Sequence, residues 1–551
     1  MASLSEKATA DTPPNGNNST PNMSNVERGY AGEGRDSDVE LQRLRSRSPA
    51  PSELSGTADH DDESLPHHQQ HSRARDFYND ALSREKLFWD RLRGKGKRHV
   101  GWVESGKNAL FSSWVNVFVV AIPIAWVAHF LPGTFSHEAT FALCFLAIVP
   151  LEAMFDWGGE QMSIYLGQTL GDLLVITLNN AVEAALAIIL LIHCELRLLQ
   201  STIVGVIILH LLLIPGTAFL AGGARVWEQT LHPHNTQLNH SLLTIGVLSL
   251  LLPTAFFAAL DRGPVAFNAE GEASFENSPL VNDFTRGEML KMSRGFAFIL
   301  GVVYIGSRIY LANPPGDDNA LEVLPDVPAA IKQAEEELKE DEPEMNPLAC
   351  ALLLGVTVAL TAVTAEFLVE SIEFVREQSG IQEEWFGLIL LPIVSFSADG
   401  MVALVFFVQS TIMHILGKKI LIPSILARAR AIDLSIQFTL WWMPFLVVLG
   451  WMIGSPMILL FDFFELAILL GACFLVNYIT ADSKTNWVEG LILVSFYAMI
   501  ATSAWFYVGQ PELEVMLTCP GTVAAAILSE AAGAGGEGGG EGAVEAVLGH
   551  H

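Results

Sequence analysis

Apolar and polar positions fall along this chain in long blocks, not at the short periods of a soluble helix or strand. Eleven apolar runs stand out, near 111–131, 138–154, 168–193, 199–222, 241–261, 290–313, 347–373, 385–413, 431–453, 456–480 and 487–508. Each approaches the ~20 residues a helix needs to cross the hydrocarbon core, and shorter runs suffice where a helix breaks inside a protein interior. The pattern predicts an all-α polytopic membrane protein of about 11 transmembrane helices. A polar, acidic stretch separates the sixth run from the seventh. The predicted organisation is a disordered cytosolic arm (1–100), a first transmembrane half (101–313), an acidic cytosolic linker (314–346), a second half (347–510) and a low-complexity tail (511–551). Lys95, Lys97 and Arg98 flank the first run and Lys418 and Lys419 follow the eighth, which puts the N-terminus in the cytosol and the C-terminus on the far side.

The halves repeat. The third run, GDLLVITLNNAVEAALAIILL (171–191), aligns without gaps on the eighth, GLILLPIVSFSADGMVALVFF (387–407), so Gly171 pairs with Gly387 and Glu183 with Asp399 at a constant offset of 216 residues. Five runs apart, the two helices are expected to cross in opposite directions, giving two inverted five-helix repeats behind an accessory first helix, an architecture found mainly among secondary transporters.

A carboxylate at mid-bilayer costs about 2.5–3.5 kcal/mol even on lenient scales, so Glu183 and Asp399 are expected to face the interior and hold a cation or carry a proton. Inverted helices would bring both acids to one point. Asn180, Ser395, Ser397 and carbonyls at a helix break would complete an oxygen shell that suits Ca²⁺ better than Mg²⁺, which parts reluctantly with its water. Burial raises carboxyl pKa values, which lets the same acids take protons on an acidic side and metal on the other.

Composition narrows the class. A mean hydropathy of +0.37 with 51% hydrophobic residues over 551 fits a membrane protein. The net charge of −29 is concentrated in tails and loops and implies no nucleic-acid partner. Five scattered cysteines imply neither a disulfide nor a zinc site. No nucleophile–base pair lies at depth, so an enzyme is not expected; nor is a cofactor, the partners being membrane lipid and the transported ions. In the arm, RLRSRSPAPS (43–52) suits phosphorylation and the basic 83–102 segment suits a lipid surface.

Several stretches resemble a known family. NNAVE (179–183), GGE ending at Glu160, LLLPTAF (250–256), SRG (293–295), AEFLVESI (365–372), GLILLPIV (387–394), GWMIGSPM (450–457) and NWVEG (486–490) are together similar to the cation/proton exchangers of the calcium/cation antiporter superfamily, fungal vacuolar Ca²⁺/H⁺ exchangers among them. The likeness runs from about Ser113 to Tyr507. It implies eleven helices, alternating access, and export of cytosolic Ca²⁺ into an acidic vacuole in exchange for H⁺. Residue by residue it implies a site at Glu183 and Asp399 with Asn180 alongside. Ser435 and Gln437 join through DLSIQ (433–437), and Glu160, Glu366 and Glu370 lie on the ion's access path.

The chain also departs from that family. Where the second repeat usually reads G-N-A-A-E-H, this one has SFSADG (395–400), which removes an amide, shortens an acid and deletes a histidine. In the fourth run GVIILH (205–210) loses two serines and places His210 where the family has asparagine, a position from which it could carry protons. ILARARAIDLSIQ (425–437) brings Arg428, Arg430 and Asp433 near the expected site, as a gate, an inhibitory charge or residues snorkelling at the cytosolic mouth. These departures leave open two alternatives: exchange of Na⁺ or K⁺ for H⁺, and a transport-inactive scaffold.

Overall fold

The computed structural model describes residues 89, 92–93, 98–131, 133–166, 168–223, 229–230, 233–260, 266–267, 273–274, 280–312, 342–394, 396–397, 400, 426–519 and 521–527. Most of the expected arm and linker, the end of the tail, Ser395, Asp399 and the side chains of Arg428 and Arg430 lie outside the described residues. The described helices are α1 (Trp102–Phe111), α2 (Ala121–Phe130), α3 (His137–Leu166), α4 (Gln168–Asn179), α5 (Ala181–His193), α6 (Leu196–Ile208), α7 (Ile214–Gly223), α8 (Pro233–Ala259) and α9 (Asp283–Ala312) in the first half. The second half holds α10 (Pro347–Ser379), α11 (Glu383–Trp385), α12 (Leu426–Gln437), α13 (Met443–Ile453), α14 (Phe463–Ile479), α15 (Trp487–Trp505) and α16 (Pro511–Leu517).

The fold is helical and polytopic. Seven described helices are long and apolar enough to span a bilayer, nine if two bent pairs are each one span, with α14 a shorter apolar helix. The count of eleven is not reached among the described residues: most of the eighth run lies outside them, and the tenth is only partly helical. The outer faces are greasy. Phe298, Val302, Ile305 and Ile309 on α9 and Leu348 and Leu352 on α10 are exposed, as surfaces in contact with lipid must be. Trp114, Trp451, Trp487 and Trp505 sit near span ends, the interfacial position such rings favour. At the front, α1 meets the Trp114–Phe130 segment at 97°, and it exposes Trp102, Val103 and Phe111 like a helix lying along a membrane surface.

The tenth run corrects the expectation most. Residues 456–462 are irregular, not helical, yet Met457 through Asp462 are fully buried. Such backbone survives in a membrane protein only if the interior satisfies it. Gln200 Nε2 donates to the Ile458 carbonyl at 2.8 Å, Ser293 Oγ accepts from Leu459 N at 2.8 Å, and Thr254 Oγ1 accepts from Phe461 N at 3.2 Å. Asp462 then caps α14 by accepting from Phe464 N.

Contacts between helix ends fix the directions. At one end Tyr165 donates to Met345 O at 2.6 Å, and Gln229 and Thr230 pair with Thr485 and Lys484. At the other, Arg197 meets Glu384 and Asp462, and Arg286 donates to the carbonyls of Thr518 and Gly521. There too Cys194 is bonded to Cys519, correcting the expectation of no disulfide; the partners are 325 residues apart, so spacing carried no signal. Because α5 finishes at this disulfide end and α11 starts there, the two repeat helices enter the bundle from opposite sides.

Among the described residues three five-residue π-helical turns interrupt the helices, at Leu209–Leu213, Phe386–Leu390 and Phe438–Trp442, and each precedes a proline by two residues: Pro215, Pro392 and Pro444. Proline lacks an N–H and its ring crowds the carbonyl one turn back, so the helix widens there. The repeated glycines mark close approaches. A Cβ on Gly171 would stand 2.7 Å from Ser163 Cβ, and one on Gly387 2.7 Å from Ser201 Cβ.

Candidate functional site

The NN pair ends one helix and starts another. Asn179 is the last residue of α4, and Asn180, at φ −101° and ψ 8°, caps α5; the two segments meet at 54°. Asparagine favours such breaks because its side chain competes with the backbone for hydrogen bonds. Asn180 is fully buried and reaches across to the second half: its Nδ2 donates to Gln437 Oε1 at 2.8 Å and to the Leu434 carbonyl at 3.4 Å. Gln437 Nε2 donates in turn to Thr177 Oγ1 at 2.8 Å, and Thr177 donates to Leu173 O at 2.7 Å.

This chain of donors has a direction. From Asn180 through Gln437 the amide hydrogens run toward Thr177, a second Asn180 hydrogen goes to Leu434, and Asn180 Oδ1 is left buried without a hydrogen-bond partner. A buried bare amide oxygen is costly to leave unmet and is a good ligand for a hard cation. One turn along α5 lies Glu183, 2% exposed, with His210 Nε2 3.6 Å from its Oε1. That is too long for a hydrogen bond and becomes an ion pair only if the imidazole is charged. His210 is itself 2% exposed and sits in the first π turn, which swings it toward α5.

The other expected residues divide. Asn180, Glu183, Gln437 and His210 come together. Ser435 is buried but its hydroxyl donates to Ala431 O on its own helix at 3.2 Å, and half-buried Ser397 likewise donates to Val394 O. Asp399 and Ser395, the other half of the expected cage, lie outside the described residues, so their meeting with Glu183 stays an expectation. Among the described residues no three His, Cys, Asp or Glu side chains gather as a metal cluster.

The expected access residues do not form one path. Glu160 is exposed near Gln161, which holds Glu344 at the linker end. Glu366 and Glu370 are at the disulfide end, paired with His193 at 2.7 Å and His129 at 3.4 Å. Of the α12 charges only Asp433 has a described side chain; it is half-buried, and it and Arg308 both act electrostatically on Tyr304. Sequence reasoning missed Thr177 and the Tyr304–Arg308 pair, whose guanidinium lies 4.9 Å from the ring centre. The signals were there: Thr177 is one turn before Asn180, and Arg308 is an arginine inside an apolar run.

Comparison with known proteins follows the same division of the chain. The family model described as "Sodium/calcium exchanger protein" matches residues 137–311 and 350–506. A vacuolar calcium ion transporter of Cryptococcus neoformans is 32% identical, over 75% of this chain and 77% of its own. One of Schizosaccharomyces pombe is 30% identical, over 73% and 87%. The structure of native YfkE shares the fold, with a TM-score of 0.53 at 20% identity, covering 71% of this chain and all of that one.

Proposed function

Since the chain belongs to the sodium/calcium exchanger protein family, we propose that it is a Ca²⁺/H⁺ antiporter of a vacuolar membrane, moving cytosolic Ca²⁺ into an acidic lumen by alternating access. The observation that carries this reading is the broken helix at Asn180, which aims a bare amide oxygen into the interior one turn from the buried Glu183. An oxygen set of this kind suits a dehydrated Ca²⁺, and the repeat partner of Glu183, Asp399, is the second carboxylate this reading calls for. Emptied of metal, the site takes protons on its carboxylates, since removal of a divalent cation leaves negative charge that a low-dielectric interior disfavours. Two protons per Ca²⁺ make the exchange electroneutral, and at a ΔpH of about 1.5 they supply about 4 kcal/mol, or about a thousandfold Ca²⁺ gradient.

The names of the fungal relatives support both the cargo and the organelle. Orientation has independent support. The Cys194–Cys519 bond belongs on an oxidising side away from the cytosol, which leaves the linker end, with Lys107 and Arg98 near it, facing the cytosol. A monovalent cation is the second reading, favoured by the SFSADG text, where Phe396 stands in place of the family's amide and the acid is one methylene shorter.

Uptake of Ca²⁺, Mn²⁺, Na⁺ and K⁺ into proteoliposomes with an acidic interior decides between them. Ca²⁺ uptake that Glu183→Gln abolishes is the expected result. Uptake confined to Na⁺ or K⁺ selects the second reading, and a wild type that moves no cation defeats both.

A further inference from the structure

A second set of buried charges lies at the disulfide end, away from Asn180. Arg197, 8% exposed at the start of α6, donates from Nη2 to Glu384 Oε1 and Asp462 Oδ2, both at 3.0 Å, and from Nε to Glu384 at 3.3 Å. Asp462 also accepts from Tyr507 at 2.7 Å and from Phe464 N, so it is well supplied with donors. One turn along α6, the Ser201 hydroxyl donates to Oε1 of Glu465, which is fully buried on α14. Glu465 Oε2 has no hydrogen-bond partner, and neither has Arg197 Nη1.

Three carboxylates here face one guanidinium. The neighbouring Arg376 is engaged with Glu383 at 2.7 Å, and His210, farther along the same wall, is turned to Glu183. With all three acids ionised the cluster would carry two uncompensated negative charges in a dry interior, each costing several kcal/mol. Glu384 and Asp462 have charged or multiple donors; Glu465 has one neutral hydroxyl and one bare oxygen. We propose that Glu465 is a proton-binding site separate from the Asn180–Glu183 site, holding its proton on Oε2.

The cluster borders solvent at its outer edge. Arg197 and Glu384 form the floor of an open recess of about 470 Å³ that is also lined by Glu383, Gly509, Gln510 and Glu514. Gly509, at φ +88°, lets the chain pass where any Cβ would collide with Glu384. Solvent in this recess reaches Glu384 and Arg197, the outer members of the cluster whose innermost acid is Glu465. Because Ser201 and His210 share one continuous helical span, the charge state of Glu465 sets how firmly α14 holds the span that faces Glu183.

Infrared difference spectra of the full-length protein in liposomes, acid minus alkaline buffer and without calcium, test this directly. The expected result is a protonated-carboxyl C=O band that disappears completely in Glu465→Gln and persists in Glu183→Gln. Ser201→Ala, which removes only the hydroxyl donor to that carbonyl, should keep the band and move it to higher frequency, and it serves if Glu465→Gln fails to fold. No band responding to either substitution would overturn the proposal. The readout needs no transported ion, so it can fail or succeed whatever the uptake assay reports.

Discussion

Asn180 and Gln437, 257 residues apart, are joined amide to amide at 2.8 Å, and this single bond ties the break in the first repeat to α12 of the second. Because Asn180 spends its hydrogens on Gln437 and Leu434, its oxygen is held in one orientation without any ion present to hold it. Preorganisation of that kind lowers the cost of stripping water from a cation.

Gln437→Leu removes the acceptor and leaves the buried Asn180 amide facing a methyl group. An unmet buried donor costs about 1–3 kcal/mol. Lower thermal stability in detergent and weaker Ca²⁺ uptake are both expected. Thr177→Val, which takes away the acceptor for Gln437 together with a hydroxyl hydrogen spent only on its own helix, should show a smaller loss of each. Equal uptake by wild type and Gln437→Leu would mean that Asn180 does not need fixing.

Gly387 is set against Ser201 Cβ, where an added Cβ would be 2.7 Å away, and against the Leu198 carbonyl at 3.1 Å. Backbone cannot yield as a flexible side chain can, so Gly387→Ala should push the helix start away from α6 and cost about 1–3 kcal/mol. A chemical-unfolding or thermal-shift comparison with Gly301→Ala, a position with open space around it, isolates the effect of contact from that of losing a glycine.

How far the sequence reached depends on whether the information was local. Glu183, Asn180 and His210 were legible because polar residues in apolar runs are conspicuous, and the repeat singled out Glu183. The irregular 456–462 stretch was not, since its apolar text reads alike as helix or as buried strand. What decides it are hydroxyls and an amide on α6, α8 and α9, more than 160 residues away in sequence. The Arg197 cluster was hidden for the same reason: an arginine at the start of a run reads as one that snorkels to headgroups, and its acids come from two distant segments. Ser435 was named by a motif match, which says nothing of where its hydroxyl donates; that hydrogen goes to its own helix.

The disulfide offers a direct check on sidedness. Cys194 ends the helix that carries Glu183, and Cys519 lies in the segment that Arg286 holds from α9. A non-reducing peptide map should recover the Cys194–Cys519 cross-link, with Cys144, Cys350 and Cys473 alkylated only after unfolding, since all three are buried. Cys194→Ser should lower stability by about 2–4 kcal/mol, as loss of a long-loop cross-link usually does. A map with Cys519 free and reactive from the cytosolic face would reverse the proposed orientation.

Glu383 gives a pH dependence whose sign can be worked out. Burial pushes its carboxyl up to about 7 from an ordinary 4.5, although Arg376 opposes the shift, while Glu384 and Glu195 reinforce it. A group whose pKa is raised by folding binds more protons in the native than in the unfolded state. Its contribution is therefore fully present below about pH 4.5 and is lost as the pH climbs through about 7. Wild-type unfolding temperature should fall across that window, and Glu383→Gln, which keeps the shape of the protonated acid, should flatten part of the fall while matching wild type at the acid end. If the two proteins matched at the acid end but wild type became the more stable of the two above neutrality, Glu383 would be an ordinary ionised partner of Arg376, and the recess beside it would be no better disposed to receive protons than any other surface.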